Sequence, residues 1–155
     1  MLRFRGVGIL TLITALIATP VLAETANFGK LTLSPGFQRA AGIGNGYISG
    51  SYSLSSVANR DRNKNPCIGF SDPKPDHVMV LEKDFRRLTL KVDTGGKDTT
   101  LVIKSPDGTI RCGDDTGNNK DASIGDSNWK AGTYSIWVGS FEPGQTWDYT
   151  LSVRE

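Results

Sequence analysis

The sequence predicts an all-β chain folded as two packed antiparallel sheets, a β-sandwich. Three observations carry this. Short runs alternate apolar and polar residues, as a strand with one buried face requires. The runs are separated by turn chemistry at Ser34-Pro35-Gly36, Pro106-Asp107-Gly108 and Pro143-Gly144. No stretch after position 23 shows the apolar spacing of an amphipathic helix, so sheet must pack on sheet to make a core.

Residues 1–23 read as a secretory signal. Arg3 and Arg5 precede an uncharged run over positions 6–23. Val21-Leu22-Ala23 then presents the residues that signal peptidase reads, with cleavage expected after Ala23. A single membrane anchor is the competing reading, against which Thr14, Thr19 and Pro20 weigh. The exported chain is expected to be secreted or periplasmic, without stable membrane insertion. Loss of Arg3 and Arg5 leaves 16 basic residues against 16 acidic ones. Such a balance offers no electrostatic footprint for nucleic acid or an anionic membrane.

Residues 24–45 are expected as an N-terminal strand and lead-in, and residues 46–155 as the sandwich domain. The first strand is 28–33, ended by Ser34-Pro35-Gly36. Residues 37–46 are too rich in Gly for a helix and read as a loop, whereas 47–54 alternate weakly, as an outer strand. Residues 59–66 are polar and rich in breakers. There Arg60, Arg62 and Lys64 could form an anion-binding patch, but a solvated loop is the plainer reading on a neutral chain. Strands follow at 77–83, at 87–93 with Leu88, Leu90 and Val92 on one face, and at 99–105. Pro106-Asp107-Gly108 returns the chain through 109–112 as a hairpin. An acidic, Gly- and Asn-rich loop leads to the last two strands. In the first of these Tyr134, Ile136 and Val138 alternate with Thr133, Ser135 and Trp137. In the second Trp147, Tyr149, Leu151 and Val153 alternate with Asp148, Thr150 and Ser152. The total is about eight strands.

Cys67 and Cys112 are the only cysteines. An even pair in an oxidising compartment favours a disulfide, with two free thiols as the alternative. Closing so long a loop stabilises a fold by roughly 4 kcal/mol on the chain-entropy argument.

The acidic loop carries the candidate chemistry. Asp114, Asp115, Asn118, Asp121 and Asp126 offer hard oxygen ligands of the kind Ca²⁺ takes, among Gly113, Gly117 and Gly125. Calcium is the one cofactor the sequence suggests. The spacing is not that of an EF-hand loop, and Lys120 opposes a cation. Turn capping by Asp114 and Asp115 is the competing reading. Asp93 and Asp98, flanking Gly95-Gly96, read as turn residues. His77, the single imidazole, would need a serine and an orienting carboxylate such as Asp76 to act as a base. No serine lies in a nucleophile turn, so a structural role is expected and no catalytic residue is assigned. Zinc is disfavoured, since one His and two cysteines that are expected to pair with each other leave too few nitrogen and sulfur ligands. Trp137 falls opposite the core-facing residues of its strand. It is a candidate platform for a sugar or a protein partner if its face is open, and a core residue if a loop covers it.

The ordered segments PDHVMVLEKDFRRLTLKVD, DTTLVIKSPDGTIRCGDD, AGTYSIWVGSF and terminal YTLSV resemble the bacterial pre-peptidase C-terminal domain family over roughly residues 46–155. The distinctive part is the GDDTG turn combined with the AGTYSIWVGS strand. The resemblance implies a jelly-roll-like sandwich and a non-catalytic accessory module, of the kind found beside secreted peptidases and other extracellular enzymes. The length of the chain leads to the expectation of no catalytic domain beside it, and so of a stand-alone relative or of a partner encoded elsewhere. The expected function is a binding or accessory module for an extracellular protein, a peptidase among the candidates, with calcium as an optional structural ion. A carbohydrate-binding module that holds a polysaccharide is the alternative, and a hydrolase centred on His77 is the third reading.

Overall fold

The computed structural model describes residues 25–155; the expected signal segment lies outside them. The chain runs through β1 (Gly29–Leu33), a 3-10 turn over Arg39–Gly42, β2 (Ile43–Tyr47), β3 (Tyr52–Ser53), β4 (Phe70–Ser71) and β5 (His77–Leu81). It continues through β6 (Phe85–Asp93), β7 (Thr99–Lys104), β8 (Ile110–Gly113), β9 (Ser123–Trp129), β10 (Gly132–Ser140) and β11 (Asp148–Arg154). These eleven strands form a seven-stranded and a four-stranded sheet.

β10 is the spine of the larger sheet, with β5 along its first half and β7 along its second. β1 joins β5 in parallel, β8 joins β7, and the short β3–β4 pair attaches at Ser140. The smaller sheet is antiparallel throughout, in the order β2-β11-β6-β9. The chain up to Tyr47 thus supplies one strand to each sheet.

The main core lies between the sheets. Leu33, Met79, Leu81 and Ile136 from one layer meet Leu88, Leu90, Leu151 and Val153 from the other. Each sits in the apolar phase of its alternation, and removal of that apolar surface from water is the main drive for the layers to close. A second, smaller core covers the outside of the larger sheet. There Val102 and Trp137, pointing away from the main core, are packed under Leu54 and Cys67, with Val57, Ala58 and Ile110 alongside. The Cys67–Cys112 disulfide spans 45 residues with its Cα atoms 5.3 Å apart. It fastens this roof covalently to β8.

The strands beyond the expected eight each have a physical reason. β2 falls in a stretch expected as loop, because two of its five residues are glycine. A Cβ at Gly44 would stand 2.9 Å from the His77 ring, and one at Gly46 would stand 2.6 Å from the Tyr149 hydroxyl. β2 closes over that pair because it has no side chains there. β9 falls inside the expected acidic loop, where only Ile124 and Trp129 are fully buried among polar and glycine neighbours. β3 is what remains of the outer strand expected at 47–54, and β4 is an equally short partner for it. Among the described residues no helix is long and apolar enough to cross a membrane.

Candidate functional site

The fold divides the residues expected to hold calcium. Asp114 and Asp115 come together with Asp98, one oxygen of each lying within 4.8 Å of the others. Lys120 already answers this charge, with its Nζ 2.6 Å from Asp98 Oδ2. Burial raises the Asp114 carboxyl above its ordinary range, and the charges of Asp115 and Asp98 add to the rise. Asp121 stands apart and buried. Its carboxylate accepts from the Thr94 amide at 2.9 Å, the Gly96 amide at 3.0 Å and the Thr94 hydroxyl, which ties the turn after β6 to the lead-in of β9. Asn118 is exposed in a turn closed by Thr116 and Asn119.

Asp126 serves the fold rather than an ion. It accepts from Arg62 at 3.0 Å and from the buried Arg111 at 2.8 Å. The Arg111 guanidinium also lies 4.1 Å over the Trp129 ring, so this charge pair joins β8 of one sheet to β9 of the other. Arg60, from the same polar loop as Arg62, donates to the Lys64 carbonyl at 2.8 Å.

His77 is buried, with its Nε2 2.8 Å from the Tyr149 hydroxyl. Burial lowers its pKa to about 4, which leaves a neutral imidazole, and lifts the Tyr149 phenol far above its ordinary value. Asp76 does not orient the ring. Its Oδ2 accepts from the Val138 amide at 2.7 Å and from the Ser71 hydroxyl at 3.4 Å. Burial nonetheless raises its carboxyl to about 7. These contacts lie side by side in the interior and do not form the relay of base, orienter and nucleophile that hydrolysis needs.

The expectation of a ligand platform at Trp137 is corrected by its surroundings. Only 6% of the residue is exposed, the disulfide-fastened roof lies over it, and its indole N–H donates to the Pro73 carbonyl at 3.2 Å. A covered ring cannot stack on a ligand.

The outer face of the four-stranded sheet is different. Alternation places Arg87, Thr89, Lys91 and Asp93 of β6 on this face, with Thr150, Ser152 and Arg154 of β11 and Ser123, Gly125 and Ser127 of β9. All are exposed or half-buried. Register sets their neighbours: Thr150 lies between Asn45 and Asp93, Ser152 between Ile43 and Lys91, and Thr89 between Arg154 and Gly125. The Thr150 hydroxyl donates to Asn45 Oδ1 at 3.0 Å. One end opens on a groove of about 360 Å³ lined by Asn45, Asp93, Asp148 and Thr150. Past Asp93 a second groove of about 510 Å³ is lined by Lys91, Asn118, Asn119 and Lys120. Two exposed apolar side chains, Ile43 and Tyr47, sit on the edge strand β2, where Phe28 packs edge-on against Tyr47 at 4.8 Å between ring centres. Sequence reasoning missed this face because its residues look like the polar phase of any solvated strand. Which outer face is roofed follows from topology alone.

No family model and no curated protein matches the sequence. Among solved structures the chain is similar to the pre-peptidase C-terminal domain of collagenase from Bacillus anthracis. The TM-score is 0.46 at 14% identity, covering 81% of this chain and 94% of that one. It is also similar to PliG of Aeromonas hydrophila, a periplasmic lysozyme inhibitor of g-type lysozyme. There the TM-score is 0.38 at 15% identity, covering 80% of this chain and 95% of that one. At these levels neither likeness assigns a family or a function.

Proposed function

We propose that the chain is a non-catalytic binding module that works outside the cytoplasm and holds a polysaccharide on the open face of its four-stranded sheet. The observation that carries this reading is the asymmetry of the two outer faces. One is sealed by a roof with its own small core; the other presents hydroxyls, amides and charges to solvent. Sugars are held by arrays of hydrogen-bonding groups of this kind. A protein interface is built on aromatic and aliphatic anchors, which the centre of this face lacks. The disulfide supports export, since such bridges persist in oxidising compartments. The test is retention of the exported chain on a panel of immobilised polysaccharides, beside an Asn45→Ala/Thr150→Ala/Ser152→Ala variant. Retention that the variant loses supports the reading. Retention unaffected by the variant places the site elsewhere, and no retention on any polymer overturns the function.

A second reading, an extracellular protein partner such as a secreted peptidase, is favoured by β2. This strand ends its sheet and exposes 39% of Ile43 and 48% of Tyr47, so an extended segment of a partner could add to it as a further strand. Capture of a peptidase from the native exoproteome, lost in Tyr47→Asp, would support it. Any calcium bound would be structural, held by Asp98, Asp114 and Asp115 in competition with Lys120.

A further inference from the structure

The open face is not uniform along its length. Asp93 and Asp148 stand at one end, and toward the other come Lys91, Arg87 and Arg154. Register puts Arg154 beside Thr89, with Arg87 and Lys91 two residues away to either side on β6. Arg87 and Lys91 therefore rise about 13 Å apart, with Arg154 one strand over, about 5 Å from the line that joins them. None of these three enters the ion pairs of the described residues, which engage Arg62, Arg111, Lys120 and Lys130. Asp126, opposite Leu88 on the neighbouring strand, is already held by Arg62 and Arg111. One terminal nitrogen of Arg87 lies 3.9 Å from where a Cβ of Gly125 would stand, so the guanidinium reaches across the sheet over a position without a side chain. Short hydroxyls of Thr89, Ser152, Ser123 and Ser127 separate the cations. Past Arg154 a cleft of about 250 Å³ is lined by Arg39 together with Glu155 and the half-buried Phe37.

We propose that this half of the face binds a linear anionic polysaccharide. Its carboxylate or sulfate groups lie on Arg87, Lys91 and Arg154, and its hydroxyls lie on Thr89, Ser152 and Ser123. The inference rests on the polysaccharide reading above and names its ligand class. Guanidinium forks fit the paired oxygens of carboxylate and sulfate. Three cations that advance in the strand direction by about 7 Å each, alternating between two neighbouring strands, suit a polymer that carries repeated anions better than one small anion. Nucleic acid fits less well, because no aromatic side chain stands between these cations, and the nearby Phe37 is half-buried and packed edge-on against Phe85 at 6.0 Å rather than free to stack on a base. A membrane fits less well too, because Ile43, at the sheet edge across from Ser152, is a single aliphatic side chain and not the apolar face that enters the acyl region.

The test is titration of the exported chain with polygalacturonate, with dextran sulfate and with uncharged dextran. Two variants accompany it: Arg87→Gln/Lys91→Gln/Arg154→Gln, and the control Lys30→Gln/Lys74→Gln/Lys104→Gln, which makes the same change in net charge away from this face. The wild type is expected to bind both polyanions, with affinity falling about 20- to 40-fold between about 50 and about 200 mM salt, as for three released counterions. The face variant is expected to lose tenfold or more, with the control staying within about twofold. Equal affinity for dextran and its sulfate would overturn the inference and leave the polysaccharide reading standing. Equal loss in both variants would overturn it as an effect of net charge. Tighter binding to phosphatidylglycerol vesicles or duplex DNA than to either polyanion would overturn it in favour of that partner. No binding to any polymer would overturn both readings.

Discussion

Asp76 and His77 are neighbours that burial pushes in opposite directions, and this makes a sharp test of the interior. The folded Asp76 carboxyl titrates at about 7 against an ordinary 3.8. The stability it contributes is therefore complete below its unfolded value and is lost as pH rises through about 7. The folded His77 imidazole titrates at about 4 against 6.5, so its contribution is present above 6.5 and is lost as pH falls through about 4. Between these limits each group changes stability by about 1.4 kcal/mol per pH unit, with opposite sign, and the two slopes cancel. Asp76→Asn keeps an oxygen to accept from the Val138 amide but removes one slope. The stability of this variant relative to wild type should then rise by about 3 kcal/mol from pH 4 to pH 6.5. Urea unfolding at several pH values measures that difference. Parallel curves for the two proteins across the window would mean that Asp76 is ionised in the folded state, which would refute the burial argument.

Other consequences follow from the packing. Cys67→Ser/Cys112→Ser should lose about 4 kcal/mol in denaturant unfolding, and loosening of the roof should shift Trp137 fluorescence to the red; a loss below about 1 kcal/mol would mean the small core holds the roof unaided. Gly46→Ala should lower stability by about 1–3 kcal/mol, because its Cβ would stand 2.6 Å from the Tyr149 hydroxyl, and a melting temperature equal to wild type would show that β2 yields freely. Millimolar calcium should leave the wild-type melting temperature unchanged, since Lys120 holds Asp98. In Lys120→Gln it should raise it, and a rise already in wild type would show that an ion displaces the lysine.

Much of the sandwich was legible because its strands carry the signal in their own residues. The alternation of Leu88, Leu90 and Val92 and of Tyr149, Leu151 and Val153 requires one buried face, and the structure buries all six. β2 and β9 were illegible because what makes them strands lies elsewhere in the chain. β2 is glycine-rich on account of His77 and Tyr149, and β9 sets Ser123, Gly125 and Ser127 on the solvent face while its Asp126 answers an arginine on the other sheet. The site was less legible than the fold. Trp137 was correctly read as pointing away from the main core, but no local pattern says that residues near Leu54 and Val57 return to cover it. Proximity in sequence also suggested one ligand set for Asp114, Asp121 and Asp126, whereas the turns send each to a different partner. Conversely, Arg87, Lys91 and Arg154 come from two strands far apart in the chain and share a surface only after β6 pairs with β11.

The most direct measurement is an amide NMR titration of the exported chain with polygalacturonate. The expected result is a set of saturable shifts centred on Arg87, Thr89, Lys91, Ser152 and Arg154, weakening as salt is raised. Shifts confined to the β2 edge or to the roof over Trp137, with the face of the smaller sheet unmoved, would contradict the placement of the binding surface.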